Sequence, residues 1–143
     1  MWSFSFIGFV TGIREDVGNK EKMIKTVPIK KNHEFVRIYK KGTFFPGKHI
    51  VIYVMKNRTG ANRLGITAGK KVGKSVRRNR VKRLIRESYR YYEPFILGGL
   101  DIVFVARNAE TPYGFAEIRK EMKFLLKKVR AFDREKWDGS EKS

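Results

Sequence analysis

The sequence predicts a single α+β domain whose small sheet is largely covered by helices, and three observations point there. Lys48 to Lys56 is a β-branched and aromatic run in which Ile50, Ile52 and Val54 alternate with Val51, Tyr53 and Met55. Asp101 to Arg107 (DIVFVAR) is the most continuous apolar run, as expected of a central strand. Two further segments keep a helical period: Val81, Leu84, Ile85, Ser88 and Tyr92, and Phe115, Ile118, Met122, Leu125, Leu126 and Val129. A chain of 143 residues with eleven Phe, six Tyr and two Trp suits one domain with ample core material.

Taken in order, residues 1–22 lack a clean period and read as a disordered N-terminal extension, with Met23 a candidate natural start. An intact mass from the native host that includes Met1 to Lys22 would sink the start at Met23. The domain is expected over residues 23–132. Its first element is a short helix, His33 to Lys41, with Asn32 as N-cap and Gly42 as C′ residue. Gly42 to Met55 divides into two strands at Pro46-Gly47, and the second runs from Lys48 to Lys56. Both faces of that second strand are apolar or aromatic, so each needs cover or a ligand. Asn57 to Asn62 is a turn, and Arg63 to Ala68 a further strand. A basic helix follows, with Ser75 as its N-cap, and Pro94 to Gly99 ends it. After Asp101 to Arg107, Thr111-Pro112 caps a last helix that runs to about Arg130. Residues 133–143 form a polar tail. The expected order is α-β-β-β-α-β-α, with a four-stranded sheet.

Charge narrows the function. The chain has 33 Lys and Arg against 14 Asp and Glu, for a net +19. Lys70 to Arg90 holds ten of those cations and one acid, Glu87. On a helix, Asn79, Lys82, Arg83, Arg86 and Arg90 fall opposite the apolar stripe, so the element is amphipathic with a cationic outer arc. Lys74, Arg77 and Arg78 crowd the first turn, where the helix dipole disfavours cations and favours a bound phosphate. This is the footprint of a nucleic-acid partner. Phe35 and Tyr39 form an i, i+4 aromatic pair that reads either as core packing or, with Tyr53, as a stacking surface for unpaired bases.

Other chemistries fit poorly. The absence of Cys removes disulfides, thiolate catalysis and Cys-ligated zinc, and suits a reducing cytoplasm. No apolar run approaches the ~20 residues that span a bilayer, so no membrane partner is expected. Ala68 to Ser75 (AGKKVGKS) has the spacing of a relaxed phosphate-binding loop, yet no later strand ends in a metal-binding acid, so no nucleotide cofactor is expected. The seven acids of residues 23–132 are scattered, and His33 and His49 read as surface residues. No metal-ligand motif and no catalytic set appear in the protein.

The run GKKVGKSVRRNRVKRLIRE closely resembles the RNR segment of the bacterial ribonuclease P protein component, and KKNHEFVRIYKKGT and the order of elements extend the likeness over Met23 to Phe132. The resemblance implies an accessory subunit of a ribonucleoprotein endonuclease. Its RNA subunit, with bound Mg²⁺, cleaves the 5′ leader from precursor tRNA, and its protein binds both that catalytic RNA and the leader. It also implies a left-handed β-α-β crossover. Arg78, Asn79, Arg80, Lys82, Arg83 and Arg86 match the family's RNA-contacting helix, and Lys70 and Lys71 the lysines leading into it; Lys74 and Arg90 extend the same cationic surface. Phe35, Val51, Tyr53 and Thr67 match positions lining the leader cleft, and Tyr39 stands where many relatives carry Phe. A general RNA-binding or ribosome-associated protein without a processing role is the alternative.

Overall fold

The computed structural model describes residues 26–107 and 114–137. The elements are β1 (Thr26–Pro28), α1 (Asn32–Lys41), β2 (Thr43–Pro46), β3 (Ile50–Lys56), β4 (Asn62–Ala68), α2 (Ser75–Tyr92), β5 (Leu100–Ala106) and α3 (Phe115–Lys128). Short 3₁₀ turns at Lys70–Val72 and Glu93–Phe95 flank α2.

The predicted α+β class is correct, with one strand more than expected. The sheet has five strands in the order β1-β4-β5-β3-β2. The added strand is β1, three residues that pair in parallel with β4. It escaped prediction because three residues cannot display a period, and its pairing partner lies 36 residues away. DIVFVAR does form the centre. β5 pairs in parallel with β4 and antiparallel with β3, and every one of its residues is buried. β4, α2 and β5 together make a β-α-β unit between parallel neighbours.

The two apolar faces of β3 are both covered, by different elements. Ile50, Ile52 and Val54 join a large core under α2 and α3 with Leu64, Ile66, Val81, Ile85, Tyr89, Ile102, Phe104, Met122 and Leu125. Val51 and Tyr53 join Ile29, Phe35, Ile38, Val103 and Val105 in a smaller core under α1. The layers are therefore α1, sheet, then α2 with α3.

The helix ends depart from expectation. Asn32 and Ser75 are the first helical residues, and Lys31 and Lys74 occupy the N-cap positions without a side-chain cap bond. Ser75 Oγ instead accepts a hydrogen bond from the Arg78 guanidinium (3.1 Å). Gly42 is extended (φ −76°), not left-handed. Glycine is needed there for room, since a Cβ would lie 2.7 Å from the Ile38 carbonyl oxygen and 2.9 Å from that of Val54.

Two polar clusters fix helices to the sheet. The Asp101 side chain has no exposed surface; it accepts from Asn57 Nδ2 at 2.8 Å and faces the guanidiniums of Arg63 (3.8 Å) and Arg37 (3.9 Å), while Arg63 pairs with Glu34. This ties α1 to β4 and β5. On the other side Glu121 of α3 accepts the backbone N–H groups of Lys48, His49 and Ile50 at 3.0, 2.8 and 2.7 Å. His49 is thus not the surface histidine expected; it is buried, with Nδ1 3.2 Å from Glu121.

Thr111-Pro112, the expected cap of α3, lies outside the described residues, as do residues 1–22. Trp137, assigned to the polar tail by its neighbours, stacks on Phe132 (4.6 Å between ring centroids, 20° between planes) and meets Tyr92 and Phe95.

Candidate nucleic-acid interface

α2 carries the cationic surface, and its apolar face is as predicted with one addition. Val81, Ile85, Ser88 and Tyr92 are buried and Leu84 is half-buried. Tyr89, unassigned from the sequence, is the largest fully buried side chain. Its hydroxyl hydrogen-bonds Thr26 of β1 (2.9 Å), and Thr26 Oγ1 also donates to Glu93.

The predicted cationic arc is not uniformly exposed. Lys70, Lys71, Lys74, Asn79, Arg80 and Arg83 are exposed, and Arg78 and Arg90 are half-buried. Lys82 and Arg86 are only 6% and 8% exposed, and both are engaged with other groups of the chain. The reason is partly geometric. Positions 82, 86, 89 and 93 follow a helical stripe, and Tyr89 and Glu93 on that stripe bond to Thr26 at the sheet edge. A wheel separates apolar from charged positions but does not show that an edge strand meets the flank of the helix. The surface set on α2 itself is therefore centred on Asn79, Arg80 and Arg83.

The start of α2 concentrates positive charge. Lys74 precedes the helix with extended backbone, Lys70 and Lys71 stand in the preceding 3₁₀ turn, and no acid lies in the first turn. The N–H groups that point out of a helix start, with these three lysines beside them, give this end a field that attracts phosphate.

The second surface lies across the sheet, where α1 covers β3. Its five predicted residues are together, but at different depths. Phe35, Val51 and Thr67 have no exposure, Tyr53 has 4%, and Tyr39 is half-buried. Phe35 reaches this depth because Gly65 of β4 offers no side chain: a Cβ there would sit 2.5 Å from Phe35 Cε1. Above this floor the Tyr39 and Tyr53 rings meet edge to face at 4.9 Å. Phe44, missed in the sequence, stacks on Tyr53 (5.7 Å, 27°) and is 54% exposed. The signal was available in principle, because in the β2–β3 register Phe44 stands opposite Tyr53. Burial pushes the Tyr39 phenol up to about 12, partly countered by Thr67 beside it and reinforced by Tyr53. Neither the Tyr39 hydroxyl nor Thr67 Oγ1 has a hydrogen-bond partner of ordinary geometry.

Among the described residues no three His, Asp or Glu side chains converge into a metal-holding group. None of the described helices is long and apolar enough to cross a membrane. Asp101 lies at the start of β5, in an Asn and Arg network, so it does not stand where a strand-end metal acid of a nucleotide site would.

A family model described as Ribonuclease P matches residues 23–130. The chain is 48% identical over 103 residues to the ribonuclease P protein component of Clostridium kluyveri, covering 71% of this chain and 92% of that protein. The structure of the Staphylococcus aureus RNase P protein superimposes with a TM-score of 0.64 at 34% identity, over 74% of this chain and 97% of that one. The RNase P protein from Thermotoga maritima gives 0.64 at 31% identity, over 71% and 96%.

Proposed function

Because the chain belongs to the ribonuclease P protein family, we propose that it is the protein subunit of that ribonucleoprotein and assists endonucleolytic removal of the 5′ leader from precursor tRNA. The observation that carries this reading is the family match over residues 23–130, which contains α2, β3 and α1 entire.

The division of labour follows from the chemistry each side can supply. The protein's described acids and histidines do not form a metal site, so its donor set does not fit Mg²⁺. We assign the metal and the hydrolytic step to the catalytic RNA. Mg²⁺ bound there would supply charge stabilisation and an activated water. The protein's residues bind, orient and screen.

Exposed Asn79, Arg80 and Arg83, with Lys70, Lys71 and Lys74 at the helix start, would hold phosphates of the catalytic RNA. Each neutralised phosphate releases counterions, which favours association and makes it salt-dependent. Arg78 and Arg90 flank that surface. Lys82 and Arg86, being engaged within the chain, would act chiefly by holding the helix in place. Across the sheet, Phe44 and Tyr39 would offer ring surface to unpaired leader bases, with Tyr53 buttressing both rings and Phe35, Val51 and Thr67 as the rigid floor beneath them. With cations on one face and rings on the other, the domain would hold two RNAs at once and lessen their mutual repulsion.

The test is reconstitution with the catalytic RNA at low Mg²⁺. Adding the full chain is expected to raise precursor-tRNA cleavage, and more so for substrates with a leader long enough to reach the cleft. No gain would refute the processing role and leave a general RNA-binding protein.

A further inference from the structure

One aromatic surface is used by neither of these roles. Where the C-terminal half of α2 meets the start of α3, the Arg119 guanidinium lies over the Tyr91 ring, 3.4 Å from its centroid, and Phe115 stands 6.0 Å from the same guanidinium. Tyr91 is 51% exposed and Phe115 39%. The arrangement is held from below. Buried Tyr92 meets Tyr91 edge to face (5.1 Å, 89°), and its hydroxyl donates to the Arg119 carbonyl oxygen (2.9 Å). The Tyr91 ring and the Arg119 backbone are thus braced by one buried tyrosine, with Phe115 beside the guanidinium they bring together.

This platform continues a track already present on α2. Arg77, Arg80, Leu84 and Tyr91 fall on one flank of the helix, at offsets 0, 3, 7 and 14. Near the helix start the same flank forms an open groove of about 600 Å³, lined by Lys74, Val76, Arg77, Arg80 and Leu84 among others. Val76, an apolar residue, is 82% exposed there. Cations at one end and a ring–guanidinium–ring platform at the other match the needs of a single-stranded nucleotide segment, in which phosphates and base faces alternate.

We propose that Tyr91, Arg119 and Phe115 form a stacking platform for an unpaired base of the catalytic RNA, on the flank of the basic helix that faces α3. The catalytic RNA is the occupant because the platform shares α2 with the phosphate-binding surface, whereas the leader cleft lies on the opposite face of the sheet. An apolar protein partner is disfavoured by the charge around the platform, in a chain of net +19. The proposal rests on the processing-subunit reading.

The test uses the full chain and transcribed catalytic RNA, with Arg83→Ala as reference. Tyr91→Leu keeps an apolar side chain and loses the ring; Arg119→Lys keeps the charge and loses the plane; Tyr91→Phe keeps the stack. We expect Tyr91→Leu and Arg119→Lys each to weaken binding by about fivefold or more, and Tyr91→Phe by less than about twofold. The salt slope should stay unchanged in all three, because no phosphate contact is removed. Chemical probing should show an unpaired RNA base protected by the wild-type chain and exposed again with Tyr91→Leu. Wild-type affinity for Tyr91→Leu and Arg119→Lys, alongside weakened Arg83→Ala, would overturn the platform and leave the reading intact. No effect from Arg83→Ala either would overturn both. A loss seen only with leader-bearing substrate would overturn the assignment to the catalytic RNA.

Discussion

Glu121→Ala should cost far more than a surface carboxylate usually does. Glu121 Oε2 accepts two successive N–H groups, from His49 at 2.8 Å and Ile50 at 2.7 Å. Oε1 takes the Lys48 N–H at 3.0 Å and lies 3.2 Å from His49 Nδ1. The side chain is 13% exposed, and His49 and Ile50 are buried. Alanine would strand two buried donors, while the exposed Lys48 N–H could turn to water. A hydrogen bond to a charged acceptor contributes about 1.5–3 kcal/mol, and two that share one oxygen do not add fully, so the expected loss is about 3–4 kcal/mol. For a domain of this size that is a fall in Tm on the order of 10–15 °C. Glu121→Gln retains one oxygen acceptor and should fall between wild type and alanine. Urea titration of the three proteins gives the differences directly. A loss under about 1 kcal/mol for alanine would refute the idea that this one side chain pins the start of β3, and with it Val51 and Tyr53.

Arg83→Ala should make the salt dependence of catalytic-RNA binding shallower by ~0.7–0.9 in log–log slope, with little change in Tm; Arg86→Ala, at an 8% exposed position, should lower Tm instead. The reverse pattern would misplace both. Gly65→Ala should destabilise by about 1–3 kcal/mol, because Phe35 must move from a Cβ otherwise 2.5 Å away; an unchanged urea midpoint would contradict that contact. Stability should be intact below pH ~10 and fall as pH rises towards about 12, since burial raises Tyr39 to about 12 against ~10 in the unfolded chain, and the unfolded state therefore loses its proton first. Tyr53, Tyr89 and Tyr92 are pushed in the same direction by burial. Urea midpoints from pH 9 to 12, read beside tyrosinate absorbance, test it; a flat profile would contradict it.

Residues that act through a period were legible in the sequence. The opposed faces of β3, the centrality of DIVFVAR and the apolar stripe of α2 all follow from spacing, and the structure has them. What spacing hides is which element covers which. Lys82 and Arg86 looked solvated because a wheel has no neighbours, yet both are buried. Phe35 allows two readings in the sequence, core packing or a stacking surface, and spacing cannot show that Gly65 on a distant strand admits it to full burial. Glu121 looked like one of several scattered acids, and only the fold brings it to three N–H groups some seventy residues earlier. Phe44 could have been assigned once β2 was registered on β3.

The position of β5 has a consequence for how the chain acquires its shape. β3 and β4 are joined by the short segment 57–61, yet they do not pair with each other; β5 lies between them. That segment crosses the start of β5, where the Asn57 N–H donates to the Gly99 carbonyl oxygen (2.8 Å). Until residues 100–106 are made, β3 and β4 each lack an inner neighbour, so the sheet cannot grow strand by strand from the N-terminus. Its assembly waits on long-range closure, which is slow relative to local hairpin formation. Nascent chains stalled before Leu100 should therefore stay protease-sensitive throughout, and those with α3 released should become resistant in one step. Stepwise protection beginning at β3 would refute this order. A strongly basic polypeptide would thus emerge from the ribosome, itself rich in RNA, with its cationic helix synthesised before the sheet that orients it can close.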